Sequence, residues 1–229
     1  MRYRLAVEDI EPNHWVAWAL DLPACFSSAQ TQANAVAHAP GRIADYHVWL
    51  SSHDSSLPVI NDPVEVEVVE TFYSFASSEC PDYLVNAFFQ DDRRPLAYWD
   101  VAVALRLLQW THQDLLEVLR PVTQEQFNKP IAGEVHGSIA GILEHIAGAE
   151  NWYLGQLHLA LDRTQFPKDP LDKLEAVRSN TQTQLVKLIG SECITERCNE
   201  LWSARKVIRR ALWHERDHTQ HIAQLLTRL

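Results

Sequence analysis

Trp213-His214-Glu215-Arg216-Asp217-His218-Thr219-Gln220-His221 decides how this chain is read. Its three histidines stand at i, i+4 and i+7, a spacing that stacks side chains on one face of a helix. Imidazoles at i and i+4 lie about 6 Å apart, close enough to share a metal ion. The same letters spell His-Glu-x-x-His, a zinc-protease signature. At about 100° per residue, Val207, Ala211, His214, His218, His221 and Leu225 fall in one sector of a helix over about 203–227. The histidines therefore share the face that the apolar residues mark as inward. A buried imidazole needs partners for two ring nitrogens, and neighbouring imidazoles cannot all supply them. A bound cation resolves that problem.

Outward from this run, three more helices are expected. One covers about 96–120, with Leu96, Trp99, Val103, Leu107, Trp110, Leu115, Val118 and Leu119 at helical spacing after Pro95. A second covers about 138–162, capped by Ser138. A third covers about 170–190, opened by Pro170. Four helices of about 20 residues fit an all-α up-down four-helix bundle over residues 95–229. A third ligand should come from another helix, and His145 is the candidate, mid-helix beside the apolar stripe. Glu150 lies near the centre of that stripe, where a carboxylate must be paired. It is assigned as an outer partner orienting an imidazole, with a salt bridge to a neighbouring arginine as the alternative. His112, His136 and His158 read as surface or loop residues.

The first 75 residues have a different period. Residues 2–9 and 14–22 read as strands around Glu11-Pro12-Asn13, a helix fits 31–52 with Thr31 as N-cap, and Val64 to Val69 alternates like a third strand. Pro40-Gly41 warns of a kink or break in that helix. The fold class is thus two-domain: a small α+β unit over 1–75, then the helical domain over 95–229. Between them, 76–94 carries an apolar patch (Tyr83, Leu84, Val85, Phe88, Phe89) and reads as a connecting helix.

The chain has 229 residues, 46% hydrophobic and 22% charged, ordinary values for a globular protein, with formal net charge −10. The first 78 residues hold 10 acidic and 3 basic side chains. Neither half has the basic surplus that nucleic acid requires, so no nucleic-acid partner is expected. The cluster Arg205, Lys206, Arg209 and Arg210 reads as a solvated helix face. No apolar run is long enough for a membrane span and no secretory leader is apparent. Cys25, Cys80, Cys193 and Cys198 read as reduced thiols, and the expected location is the cytoplasm.

Two resemblances add to this. Asp21-Leu22-Pro23-Ala24-Cys25 followed by Ala29-Gln30-Thr31 resembles the turn into the helix of HicB-like antitoxin domains, with alanine in place of both family glycines. Such domains often bind a partner protein, and the unit could equally serve as a lid or dimerisation module. Ser138-Ile139-Ala140-Gly141-Ile142-Leu143-Glu144-His145, continuing through Glu150-Asn151-Trp152-Tyr153, together with the run at 213–222, resembles the DinB-like family. That family includes thiol-dependent S-transferases. The resemblance implies a metal triad of His145, His214 and His218, with His221 nearby and Asp217 beside it. Three neutral histidines leave open positions on a zinc or nickel ion, and the resemblance implies a low-molecular-weight thiol as cosubstrate. The family's common Arg-Gly-Gln after the last ligand is Thr219-Gln220-His221 here, closer to the S-transferase branch.

The expected function is therefore divalent-metal binding with thiol-dependent S-transfer to a small electrophile, in a homodimer. A non-catalytic reading makes the metal a staple within an interaction module. A metal-dependent hydrolase using Glu215 as general base is the remaining alternative. It lacks the downstream third ligand of zincin helices.

Overall fold

The computed structural model describes residues 1–60 and 62–228. The chain divides into two compact units. The first holds residues 1–93 with 196–201; the second holds 94–195 and the chain from Trp202 onward.

The first unit is strand-rich. Strands β1 (Arg2–Glu11), β2 (His14–Ala19) and β3 (Phe26–Ala29) precede helix α1 (Gln32–His53) and strand β4 (Glu65–Tyr73). The sheet order is β3-β2-β1-β4; β4 runs parallel to β1 and the other pairs are antiparallel. Asn13 takes φ 60° in the β1–β2 turn, a conformation asparagine tolerates. β3 was not expected. Its separation from β2 depends on Ala24 at φ 70°, where a methyl group costs about 1–2 kcal/mol relative to glycine. Thr31 caps α1 by accepting from the Asn34 N–H at 3.2 Å. Ala35, Ala39, Ile43 and Tyr46 form the buried face of the helix. α1 continues through Pro40, so the proline does not break it.

Residues 76–94 do not form a helix. Strands β5 (Phe75–Ala76) and β6 (Leu84–Val85) pair, and the segment ends in one 3-10 turn at Gln90–Arg93. Val85, Ala87 and Phe89 are buried while Asn86 and Phe88 are less so. That two-residue period belongs to extended chain. Cys80 is disulfide-bonded to Cys198, with Cα atoms 5.3 Å apart across a sequence separation of 118. This corrects the reading of four reduced thiols: Cys25 and Cys193 lie outside the disulfide. The expected cytoplasmic location loses the support it drew from them. Cys198 and Asn199, at φ 55° and 63°, turn the chain between β7 (Thr195–Arg197) and β8 (Glu200–Trp202), as a type I′ hairpin requires.

The second unit is helical. Its elements are α2 (Tyr98–Leu119), the short α3 (Gln124–Asn128), α4 (Ile139–Gln156), α5 (Pro170–Lys187) and α6 (Ala204–Leu226). Their starts follow capping chemistry. Ser138 accepts from the Gly141 N–H, Ser203 accepts from the Lys206 N–H, and Asp169 accepts from Leu171 and Asp172 just before Pro170. α4 packs on α5 and α6, and α2 packs on α5 and α6. One core joins Leu115 of α2, Ile139, Ile142, Leu143, Ile146 and Ala147 of α4, Leu174 and Val177 of α5, and Ile222 of α6. Among the described residues, no helix is long and apolar enough to cross a membrane.

The basic cluster on α6 is not a solvated face. Lys206 is fully buried, its ammonium 4.4 Å from the Trp202 ring centre. Arg210 is buried too, 4.7 Å from the Trp213 ring centre. Arg205 pairs with Asp100 at 2.7 Å and donates to the Arg94 and Pro95 carbonyls. Long aliphatic stems and aromatic faces let these cations go inside, which a count of charges does not reveal.

Candidate metal centre

α4 and α6 lie side by side and bring His145 against His214 and His218. The His214 Nε2 is 3.0 Å from the His145 Nε2 and 3.2 Å from the His218 Nε2. Tetrahedral nitrogen ligands on an ion at about 2.0–2.1 Å stand about 3.4 Å apart. The two separations from the His214 nitrogen are thus close to the spacing that a shared divalent ion imposes. Two neutral imidazoles can also satisfy each other by one N–H···N bond. Three converging Nε2 atoms cannot all do so.

Burial first, then the neighbouring imidazoles, holds these groups neutral. His145 is lowered to about 4 by burial and by His136. His218 is lowered to about 3 by burial, then by His145, His136 and His221. His214 is pushed well below its ordinary value by burial, His218, His145 and the Arg210 charge. Neutral imidazole is the form that ligates a metal. Among the described residues, the buried Nδ1 atoms of His214 and His218 find no hydrogen-bond partner. Metal-bound histidines usually donate that hydrogen outward, so this donor set fits an ion at Nε2 and departs from the usual outer contacts at Nδ1.

His136 was read as a loop residue without companions. It does lie in the loop before α4, but its ring stacks on His145 with centroids 4.0 Å apart. One ligand nitrogen each from His136, His145 and His218 lies within 4.8 Å of the others. The loop folds back through bonds from the Ile131 N–H to the Gly137 carbonyl (2.8 Å) and from the Gly137 N–H to the Glu134 carbonyl (3.0 Å). Gly133 and Gly137, both near φ 80°, allow this path. A Cβ on Gly141 would fall 1.9 Å from the His136 carbonyl oxygen, so the loop closes against α4 only over a glycine. Those three glycines were the signal in the sequence. His221 does not join the converging nitrogens; its Nε2 is 3.0 Å from Glu134 of the same loop. Asp217 is half-buried on α6, next to His218 in sequence.

Glu150 takes the alternative role. Arg178 donates to both its oxygens, from Nε at 3.0 Å and Nη2 at 2.8 Å, and the Thr181 hydroxyl donates at 2.5 Å. It therefore orients an arginine rather than an imidazole. The same guanidinium bridges to Glu215, with Nη1 at 3.1 Å and Nη2 at 3.0 Å. Thr111 also donates to Glu215, and His112 Nδ1 lies 3.4 Å away. His112 is thus no surface residue; its other nitrogen is 2.7 Å from Glu175. Burial is the largest effect and raises a carboxylate, but the Arg178 charge together with the His112 and Thr111 contacts outweighs it and holds Glu215 below its ordinary value. A carboxylate so saturated is poorly placed to take a proton from water.

No protein-family model, curated protein or solved structure matches the chain.

Proposed function

We propose that the helical unit is a DinB-like four-helix bundle that binds a divalent metal, zinc or nickel, through His145, His214 and His218. We propose further that it transfers a small cellular thiol to a small electrophile. The observation that carries the metal reading is the approach of the His214 Nε2 to the Nε2 atoms of His145 and His218, at 3.0 and 3.2 Å. When bound, such an ion lowers the pKa of a thiol and keeps it nucleophilic at neutral pH. The chain's own part is to hold three imidazoles neutral and aimed at one point. Packing of α4 on α6 does this, and the Glu150–Arg178–Glu215 network fixes α5 and α6 beside it. The S-transferase chemistry rests on the resemblance of residues 138–153 and 213–222 to that family.

The second reading, a metal staple without catalysis, is favoured by His136, whose presence beside the triad offers a fourth imidazole. Structural sites are closed by four protein ligands, whereas catalytic ones keep an open position. The hydrolase alternative gains nothing from Glu215, which is engaged by Arg178, Thr111 and His112. A homodimer, and a protein partner for the strand-rich unit in the manner of HicB-like domains, belong to the same proposal.

Metal analysis of the purified protein, followed by S-transfer assays with several cellular thiols and an electrophilic acceptor, tests both steps. One equivalent of zinc or nickel is expected in the wild type and almost none in His214→Ala. Wild-type protein without metal sinks the whole reading. A metal-loaded protein inactive with every thiol leaves the staple.

A further inference from the structure

We propose that His136 is a fourth protein ligand to the metal, delivered by the loop at residues 131–137 and held in place by a clasp between Glu134 and His221. This rests on the metal reading above and extends it to residues that reading does not use.

The backbone of the loop fixes where His136 sits. His136 lies between two left-handed glycines, Gly133 and Gly137, and two residues ahead of the Ser138 cap. Its carbonyl sits against Gly141, where a Cβ would approach to 1.9 Å. Backbone contact that close leaves the residue little choice of position along α4. Its ring is then packed from two sides, stacked on His145 at 4.0 Å and edge-on to His218 at 5.6 Å. A ligand nitrogen of His136 lies no more than 4.8 Å from those of His145 and His218. Ligands on one ion at about 2.0–2.1 Å stand about 3.4 Å apart, so His136 has at most about 1.4 Å to close towards His145 and His218.

The second observation is the clasp. Glu134 has a side chain only 4% exposed, and its carboxylate lies 3.0 Å from the His221 Nε2. His221 is one turn beyond His218 on α6, so the bridge ties the loop to the helix that carries two of the ligands. It explains why the third histidine of the run at 213–221 faces the site without joining it. His221 contributes by holding the loop that carries His136. Four imidazoles around a tetrahedral ion leave it no open position, so loop closure determines whether the ion can accept anything else.

Cobalt(II) replacement of the bound metal in the full-length protein tests this. Tetrahedral cobalt absorbs strongly in the visible, and its spectrum reports the ligand set without reference to activity. We expect His136→Ala to keep one bound cobalt but to change its visible bands and weaken metal affinity. We expect Glu134→Gln to weaken it less, by about 10-fold, as loss of a contact supporting a ligand typically does. His145→Ala serves as the control for the triad. If His136→Ala binds cobalt with unchanged spectrum and affinity while His145→Ala loses it, His136 is no ligand and the triad stands. If the wild type and every variant fail to bind cobalt, the metal reading fails with it. Circular dichroism of each variant separates ligand loss from unfolding, and His136→Asn replaces the alanine variant if the latter does not fold.

Discussion

His214 and Glu215 are adjacent on α6 and both buried, yet they belong to different machinery. His214 faces other imidazoles, and everything around it favours the neutral form. Glu215 faces Arg178, Thr111 and His112, and its surroundings favour the charged form. One site is a set of bases facing one another; the other is a closed ion network with every carboxylate oxygen hydrogen-bonded. Being inward, then, does not decide what a polar residue on a helix does. The partner presented by the next helix does, and a 100° step along α6 is enough to change partners.

The comparison breaks most sharply at Arg178. Arg178→Met leaves two buried carboxylates, Glu150 and Glu215, without their cation, and should cost about 3–5 kcal/mol in chemical denaturation. If the variant is as stable as the wild type, the network is not the anchor described. Removing metal acts on the other side alone. With free metal at about 1,000 times its Kd, chelation should lower stability by about 4 kcal/mol, read as a fall in melting temperature. A melting temperature indifferent to chelator, with metal shown to be lost, would separate ligation from folding and rule out the staple.

The smallest effect is the most diagnostic, because the two sides respond to pH with opposite sign. In metal-free protein the folded pKa values of His145 and His218, about 4 and about 3, lie below the ordinary 6.5. The unfolded chain therefore binds more protons over that window. Stability from these groups is complete above about 6.5 and falls as pH drops towards 4 and 3. His112 behaves the other way. Burial opposes its charge, but the Glu215 hydrogen bond and charge, with Glu175, raise its pKa. Its contribution is complete below about 6.5 and disappears as pH rises through the raised value. Urea titrations of the apoprotein from about pH 4 to pH 9 should show both limbs. His218→Asn should flatten the acidic limb and His112→Asn the alkaline one; the same slope in both variants would contradict the assignment.

The last helix and its inward-facing histidines were legible because a 3.6-residue period fixes which residues share a face. Ser138, Asp169 and Ser203 marked helix starts for the same local reason. His136 was not legible, since its position depends on a loop path and on the space over Gly141. The partner of Glu150 was narrowed to an arginine but not to Arg178, which lies 28 residues away on another helix. In residues 76–94 the apolar patch from Tyr83 to Phe89 fits a helix as well as a strand, and the buried alternation of Val85, Ala87 and Phe89 is what separates the two. The Cys80–Cys198 pair spans too much chain for spacing to reveal it. Lys206 and Arg210 show the limit of charge counting, because an aromatic face can host a cation that a linear reading assigns to solvent.

Gly141 gives the second unit an unusual kind of sensitivity. It ligates nothing and carries no charge, and a helix normally gains from alanine in place of glycine. Here the gain in helix propensity is set against a collision with the His136 carbonyl, so a substitution that stabilises most helices would push the loop off this one. In a randomised library selected only for folding, position 141 would look replaceable wherever the loop can swing aside. Selected for metal retention, the same library should return glycine alone. The difference between those two tolerance profiles would measure how much of the site depends on one missing methyl group.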